Sequence, residues 1–205
     1  MRMIIMTESS KFGANCVAGI NIENGEWVRL VTDDKETHGA VRDENLMTQD
    51  DEKCEVLDIV DVPVIEKCDD AIQPENVLMD TSKYIKKLGK ADINDVIKIH
   101  PAELHTYILG NKYPYVTERK INDVGYSLTL IEVDDLVLHV AENREGKKKT
   151  KASFTYNGYE YHDMSVTDRK CYCAPDGFEV GKAYLVVSIG TPSNDKYYKF
   201  IANVL

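Results

Sequence analysis

Two Asn-Gly pairs, each flanked by residues that alternate between apolar and polar, constrain this chain more than any other feature. Asn24-Gly25 and Asn157-Gly158 supply the positive φ values that a tight type I′ hairpin turn demands. Before the first pair, Cys16, Ala18, Ile20 and Ile22 recur at every second position. After it, Trp27, Arg29 and Val31 point to one face, and Val28 and Leu30 to the other. Around the second pair, residues 151–156 and 159–166 form the arms of another hairpin.

The same reading places strands over residues 1–7 and 54–66, with a loop at Ser9-Ser10-Lys11-Phe12-Gly13 and a long acidic loop over 33–53. Pro63 lacks an N–H, so it marks a sheet edge or a bulge. Further strands are expected over 126–131, 136–140, 183–189 and 197–204, with Asp134-Asp135 as a turn. Short strands separated by turns suggest a closed or nearly closed barrel.

The pattern changes between the β-rich parts. Asp80-Thr81-Ser82 reads as a helix cap, with Gly89 as the stop. Asp92 can cap a helix over 93–99, where Ile93, Val96 and Ile97 have helical spacing. Pro101 can start a third helix that ends at Gly110. The fold class expected is mainly β with a small α insert: residues 1–79, a helical insert over 80–124, and residues 125–205. The two hairpins hint at a distant duplication, although the halves do not align into a repeat.

The net charge of −10 argues against a polyanionic partner for the chain as a whole. The charge is uneven, however: residues 1–143 carry a net of −13 and residues 144–205 a net of +3. The five cysteines are odd in number and irregularly spaced, and the apolar run at the start is too short for a signal sequence or a bilayer span. A cytoplasmic protein with reduced cysteines and no membrane partner is therefore expected.

Chemistry-bearing patterns are sparse. His100 and His105 flank Pro101, and no histidine belongs to a His-Glu-x-x-His motif. Cys171-x-Cys173 lacks the second pair that a zinc site needs. Nucleophile elbow, P-loop and dinucleotide fingerprints are absent. Asp50-Asp51-Glu52 and Asp134-Asp135 read as solvated clusters. No catalytic residue, metal or cofactor is assigned, and a binding module is the better reading than an enzyme.

The most basic run is Lys147-Lys148-Lys149-Thr150-Lys151. It leads into an aromatic strand pair with Phe154, Tyr156, Tyr159 and Tyr161, and Tyr172 lies beyond. Cations that follow phosphates and rings that stack on bases are what a single-strand platform needs. The same tyrosines would also suit a packed β core. Lys11 and Arg29 form a second basic locus, with Arg29 on the strand face of Trp27.

Several patterns occur in order along nearly the whole chain: Ser9-Ser10-Lys11-Phe12-Gly13-Ala14-Asn15-Cys16-Val17-Ala18-Gly19-Ile20, Gly25-Glu26-Trp27-Val28-Arg29-Leu30, Leu57-Asp58-Ile59-Val60, Gln73-Pro74-Glu75-Asn76, Phe154-Thr155-Tyr156-Asn157-Gly158-Tyr159-Glu160-Tyr161, Val166-Thr167-Asp168, Val187-Ser188-Ile189-Gly190 and Tyr198-Lys199-Phe200-Ile201-Ala202. Together they resemble the dual OB-containing domain family of prokaryotes. Leu30 and Arg169 stand where that family tends to have proline. The resemblance implies two tandem OB-like antiparallel β-barrels joined by a short helical segment. It also makes Glu75, Asn76, Thr167 and Asp168 candidates for a pocket between the barrels or for loop-fixing contacts.

The leading expectation is a module that binds single-stranded DNA or RNA. Its residues would be Lys11, Arg29, Lys147, Lys148, Lys149, Lys151, Tyr156, Tyr159 and Tyr161. The alternatives are a protein-interaction adaptor in a defence or nucleic-acid-processing system, and an enzyme with a site between the barrels.

Overall fold

The computed structural model describes residues 1–11, 13–142 and 146–205. The chain divides into two compact units, Met1–Pro101 and Ala102–Leu205.

The first unit is built on β1 (Arg2–Lys11), β2 (Ala14–Asn21), β3 (Trp27–Val31), β4 (Asp58–Asp61), β5 (Val64–Lys67), β6 (Asn76–Met79) and β7 (Lys86–Lys90). The strand order is β5-β6-β3-β2-β1-β4-β7. All neighbours are antiparallel except β3 and β6, which run parallel through Arg29–Asn76, Leu30–Val77 and Val31–Leu78. Met3, Ile5, Val17, Leu30, Val60 and Met79 are among its core residues. Val17 stands opposite Leu30 in this core, so Ala18 and Ile20 of the alternating run, also buried, point to the other face of the sheet. Pro63 falls between β4 and β5, where an absent N–H leaves no broken ladder bond.

Two glycines are dictated by close approach. A Cβ on Gly19 would lie 2.0 Å from the carbonyl oxygen of Ile4, so β1 and β2 could not pair there. Gly25 has φ of 72°, and a Cβ on it would lie 2.7 Å from the carbonyl oxygen of Ile99. The β2–β3 turn is not the expected type I′, because Asn24 keeps a negative φ. It closes instead as a wider loop, with the Gly25 N–H donating to the Asn21 carbonyl at 2.9 Å.

The second unit holds the two-residue β8 (Tyr115–Val116) and then β9 (Leu128–Glu142), β10 (Lys148–Tyr156), β11 (Tyr159–Val166), β12 (Phe178–Ile189) and β13 (Tyr197–Val204). Its order is β11-β10-β9-β12-β13-β8. β11 also pairs parallel with β13, through Ser165–Phe200 and Val166–Ile201. In both units, three strands pair as a meander. A later segment, β4–β5 or β12, bonds antiparallel to the first of them and to a further strand, β6 or β13, which runs parallel to the third.

The β10–β11 turn is as expected, with Asn157 at φ of 48° and Gly158 at 78°. On β10, Thr150, Ala152, Phe154 and Tyr156 are buried while Lys149 and Thr155 face solvent. Phe154 stands opposite Tyr161. Their rings stack at 5.5 Å, as an inward cross-strand aromatic pair should.

Four local expectations are corrected. Residues 84–90 form no helix. Their core is β7, because Asp58 is wholly buried and needs the ammonium groups of Lys87 at 3.1 Å and Lys90 at 3.5 Å, which come from the neighbouring strand. The Asp80 cap exists, but it closes only a turn through Ser82. Residues 102–107 are not helical either, because long-range partners take their amides. The N–H of Glu103 donates to the Leu130 carbonyl at 2.7 Å, and that of His105 to the Tyr156 hydroxyl at 2.7 Å.

Asp134-Asp135 is not a turn but lies within the continuous β9, where the Asp135 carboxylate accepts the Thr155 N–H at 2.7 Å. Finally, β1 extends to Lys11 across much of the expected Ser9–Gly13 loop, and Phe12 of that loop lies outside the described residues.

The helix capped by Asp92 is present as α1 (Ile93–Ile99). Its capping box is completed by Asp95, whose N–H donates to the Asp92 carboxylate at 3.0 Å. A second helix, α2 (Glu118–Val124), ends on Gly125 in the left-handed conformation. No helix among the described residues is long and apolar enough to cross a membrane.

Candidate nucleic-acid interface

Lys147, Lys148 and Lys149 are exposed at the start of β10, with Lys148 opposite Glu142 and Lys149 opposite Ala141 on β9. Lys151 is half-buried. Its ammonium donates to the Ser165 hydroxyl at 2.7 Å, and burial pulls its pKa down.

Residues 169–173 form a 3₁₀ turn that brings Arg169 and Lys170, both exposed, to the same end of the unit. The Thr150 hydroxyl ties this turn to β10 by donating to the Cys171 carbonyl at 3.3 Å. The Asp176 carboxylate ties the following loop to β9 by accepting the Val140 N–H at 2.9 Å.

The aromatic side of the expectation requires correction. Tyr156 is only 4% exposed and Tyr161 1%, so neither ring presents a face to a base. Strand alternation turns both inward, and their hydroxyls are committed. Tyr156 donates to the Glu103 carbonyl at 3.0 Å, and Tyr161 accepts the Ile108 N–H at 3.1 Å. Tyr159 lies on the same strand face, opposite Tyr156 at the turn, and is 36% exposed there, but its ring packs against Tyr107 with centroids 4.6 Å apart.

The rings that do stand open near the lysines are Tyr172, 49% exposed, and Phe178, 48% exposed. Phe178 pairs with Leu138, which in turn pairs with Ala152 beside Lys151. Sequence reasoning overlooked Phe178. The available signal was Pro175-Asp176-Gly177, a turn that starts β12 at the rim of the sheet.

The other candidates divide between the units. In the first, Arg29 is buried on β3 next to Asn76 of β6, and its backbone N–H donates to the Glu75 carbonyl at 2.8 Å. The Lys11 ammonium donates to the His38 carbonyl at 3.2 Å, and burial and the nearby Arg29 charge lower its pKa. The Asn76 side-chain amide donates to the Asp70 carboxylate at 3.1 Å, fixing the turn that enters β6.

In the second unit, the Asp168 carboxylate caps the 3₁₀ turn by accepting the Lys170 N–H at 2.9 Å and also holds the Val204 N–H at 3.1 Å. The Thr167 N–H donates to the Ile201 carbonyl at 2.9 Å. Asn76, Thr167 and Asp168 thus make loop-fixing contacts within their own units.

Glu103, His105 and Thr129 form a small polar cluster in the second unit. His105 uses one ring nitrogen for both partners, at 3.0 Å from Glu103 and 3.2 Å from Thr129, and the Thr129 hydroxyl also bonds Glu103. A hydroxyl–histidine–carboxylate triad needs the hydroxyl and the carboxylate on opposite ring nitrogens, so these three residues do not form one. Among the described residues, no group of three histidine, cysteine, aspartate or glutamate side chains could hold a metal ion. Burial pushes the Cys171 thiol up to about 12, which makes it a poor nucleophile or ligand.

The fold is a pair of β-rich units, each with a three-stranded meander that pairs with later strands. The family model of the dual OB-containing domain matches residues 1–204, and the chain belongs to that family. No curated protein and no solved structure matches it.

Proposed function

We propose that this protein binds single-stranded nucleic acid through its second unit. The carrying observation is the convergence at one end of that unit of Lys147, Lys148, Lys149, Arg169 and Lys170 with the open rings of Tyr172 and Phe178. Lysines and arginines track a phosphate backbone, and open rings stack on unpaired bases.

The strand pairings support reading each unit as an OB-type barrel, with β4–β5 of the first unit in the place of β12 of the second. OB barrels bind oligonucleotides along their second and third strands and the adjacent loops. In the second unit those strands are β10 and β11, and the basic run opens β10.

The first unit is a poorer place for a polyanion. Its cleft, about 920 Å³, is lined by Asp50, Glu52 and Asp61 as well as by Lys83, Lys86 and Lys87.

The test is fluorescence anisotropy with labelled single-stranded DNA and RNA, titrated with the full chain over a range of salt. Binding is expected in the micromolar range at low salt. Log affinity should fall against log salt with a slope of about −0.7 for each phosphate neutralised. A flat anisotropy signal up to tens of micromolar protein at low salt overturns the reading.

A further inference from the structure

A second group of aromatic rings gathers where the short β8 meets the start of β13 in the second unit. Tyr113 and Tyr115 come from the segment that ends in β8, and Tyr198 from the start of β13. β8 zips onto β13 through Tyr115–Tyr198 and Val116–Tyr197. Tyr113 and Tyr115 lie with ring centroids 6.3 Å apart and planes within 22° of each other, and Tyr115 and Tyr198 are 6.0 Å apart. Tyr113 is 54% exposed and Tyr198 38%. The Lys196 ammonium rests over the Tyr115 ring, 4.1 Å from its centroid.

These rings are held by a rigid support. The ammonium of the buried Lys199 donates to the Ile108 carbonyl at 2.6 Å, the Asn111 carbonyl at 2.5 Å and the Asn111 side-chain oxygen at 2.9 Å. Asn111 in turn donates to the Tyr115 carbonyl at 3.1 Å and accepts the Tyr113 N–H at 2.9 Å. The Lys199 N–H donates to the Pro114 carbonyl at 2.9 Å. The stem of Lys120 packs against Gly110 at the base of the same segment. A loop pinned at this many points presents its rings without an ordering cost at the moment of binding.

We propose that Tyr113, Tyr115 and Tyr198 are a second stacking platform, on which unpaired bases of a nucleic-acid strand sit. The inference rests on the single-strand reading above and extends it to a separate set of residues. Charge selects the occupant. Over 111–120 and 190–199 the exposed or half-exposed charges are Lys112, Arg119, Lys120 and Lys196 against Glu118 and Asp195, a cationic surround in a chain of net −10. Tyr113 and Tyr115 are near-parallel and Tyr198 is tilted by 58° against Tyr115, and open rings flanked by cations suit bases joined by phosphates. An incoming phosphate can draw Lys196 off Tyr115 and free that ring for a base.

The experiment titrates a labelled single-stranded oligonucleotide with the full chain and with Tyr113→Ala, Tyr198→Ala, Tyr113→Phe and Tyr198→Phe. It is paired with photo-crosslinking to an oligonucleotide that carries 5-iodouracil. Each alanine variant is expected to bind about 5- to 100-fold more weakly, and each phenylalanine variant like the parent. Crosslinks are expected on peptides that contain Tyr113, Tyr115 or Tyr198.

If the parent chain binds but the alanine variants match it and no crosslink maps here, the platform is overturned while the single-strand reading stands. If the parent chain binds no nucleic acid, both fall. The same holds if it instead binds a neutral oligosaccharide through these tyrosines.

Discussion

Replacing Lys147, Lys148 and Lys149 together by alanine is expected to weaken single-strand binding at least about tenfold at low salt and to flatten the salt dependence by about 2. The second figure follows from three lost phosphate contacts at roughly 0.7 each. The loss should vary little between oligonucleotide sequences, because phosphate contacts position a strand without reading it. The fold should be unaffected, since all three side chains are exposed on the first residues of β10 or just before it, and surface substitutions of this kind shift stability by about 0.5 kcal/mol at most.

A control removes two cations from the first unit, Lys83 and Lys86, both exposed beside the acidic cleft. That variant should bind as the parent does. Equal losses per charge removed in both variants would mean that binding follows net charge rather than the end of the β9–β10 hairpin. Anisotropy titrations at four or more salt concentrations give both the affinity and the slope.

Much of the β architecture was legible because strand alternation is a local property of the sequence. The strands around Trp27, Tyr156 and Tyr161 lie where their period-two pattern puts them, and the Asn157-Gly158 turn has the backbone its residues require. What was not legible depended on distant partners. Tyr84-Ile85-Lys86-Lys87-Leu88 reads locally as a capped helix, yet the buried Asp58 carboxylate draws Lys87 and Lys90 into a strand. Residues 102–107 read as a helix after Pro101, but the hydroxyl of Tyr156 and the Leu130 carbonyl take the amides a helix would use.

The site was half legible. The lysines were visible as a run. Which tyrosines face outward, however, depends on strand phase together with a register shift between Ala152 and Phe154. That phase turns Tyr156 and Tyr161 inward, and the open rings are Tyr172 on the 3₁₀ turn and Phe178 at the start of β12. The Tyr113–Tyr115–Tyr198 group joins residues more than 80 positions apart, and only the pairing of β8 with β13 brings them together.

The stability of the second unit is expected to rise with pH between about 7 and 9, and Lys199→Met is expected to abolish that rise. Lys199 is 1% exposed, and burial pushes its ammonium down from 10.5 to about 7. Below pH 7 both the folded and the unfolded chain hold the proton. Between 7 and 10.5 the unfolded chain keeps a proton that the folded chain has released. The unfolded state then binds more protons, so unfolding becomes harder as pH rises, by roughly 1.4 kcal/mol per pH unit. Above 10.5 both states are neutral and the gain is complete.

A buried thiol and buried tyrosines act in the opposite sense at higher pH. Burial raises the pKa of Cys171 from 9.0 to about 12 and also raises those of Tyr156, Tyr161 and Tyr172, so from about pH 9 upward the unfolded chain loses protons that the fold retains, which opposes the gain. The informative window is therefore about pH 7 to 9, and subtracting the Lys199→Met curve removes the cysteine and tyrosine contributions.

At the alkaline end of that window the variant should be the less stable protein by about 3 kcal/mol, because methionine leaves the Ile108 and Asn111 oxygens without their donor. The gap should narrow toward pH 7, where the parent bears the cost of a buried charge that methionine avoids.

Urea midpoints followed by tyrosine near-ultraviolet circular dichroism read the second unit, since every tyrosine but Tyr84 lies in it, whereas Trp27 reports the first. Parallel curves for parent and variant across the window would show that Lys199 keeps its proton throughout. The segment at 108–111 would then be held by a permanent ammonium rather than by a group that titrates.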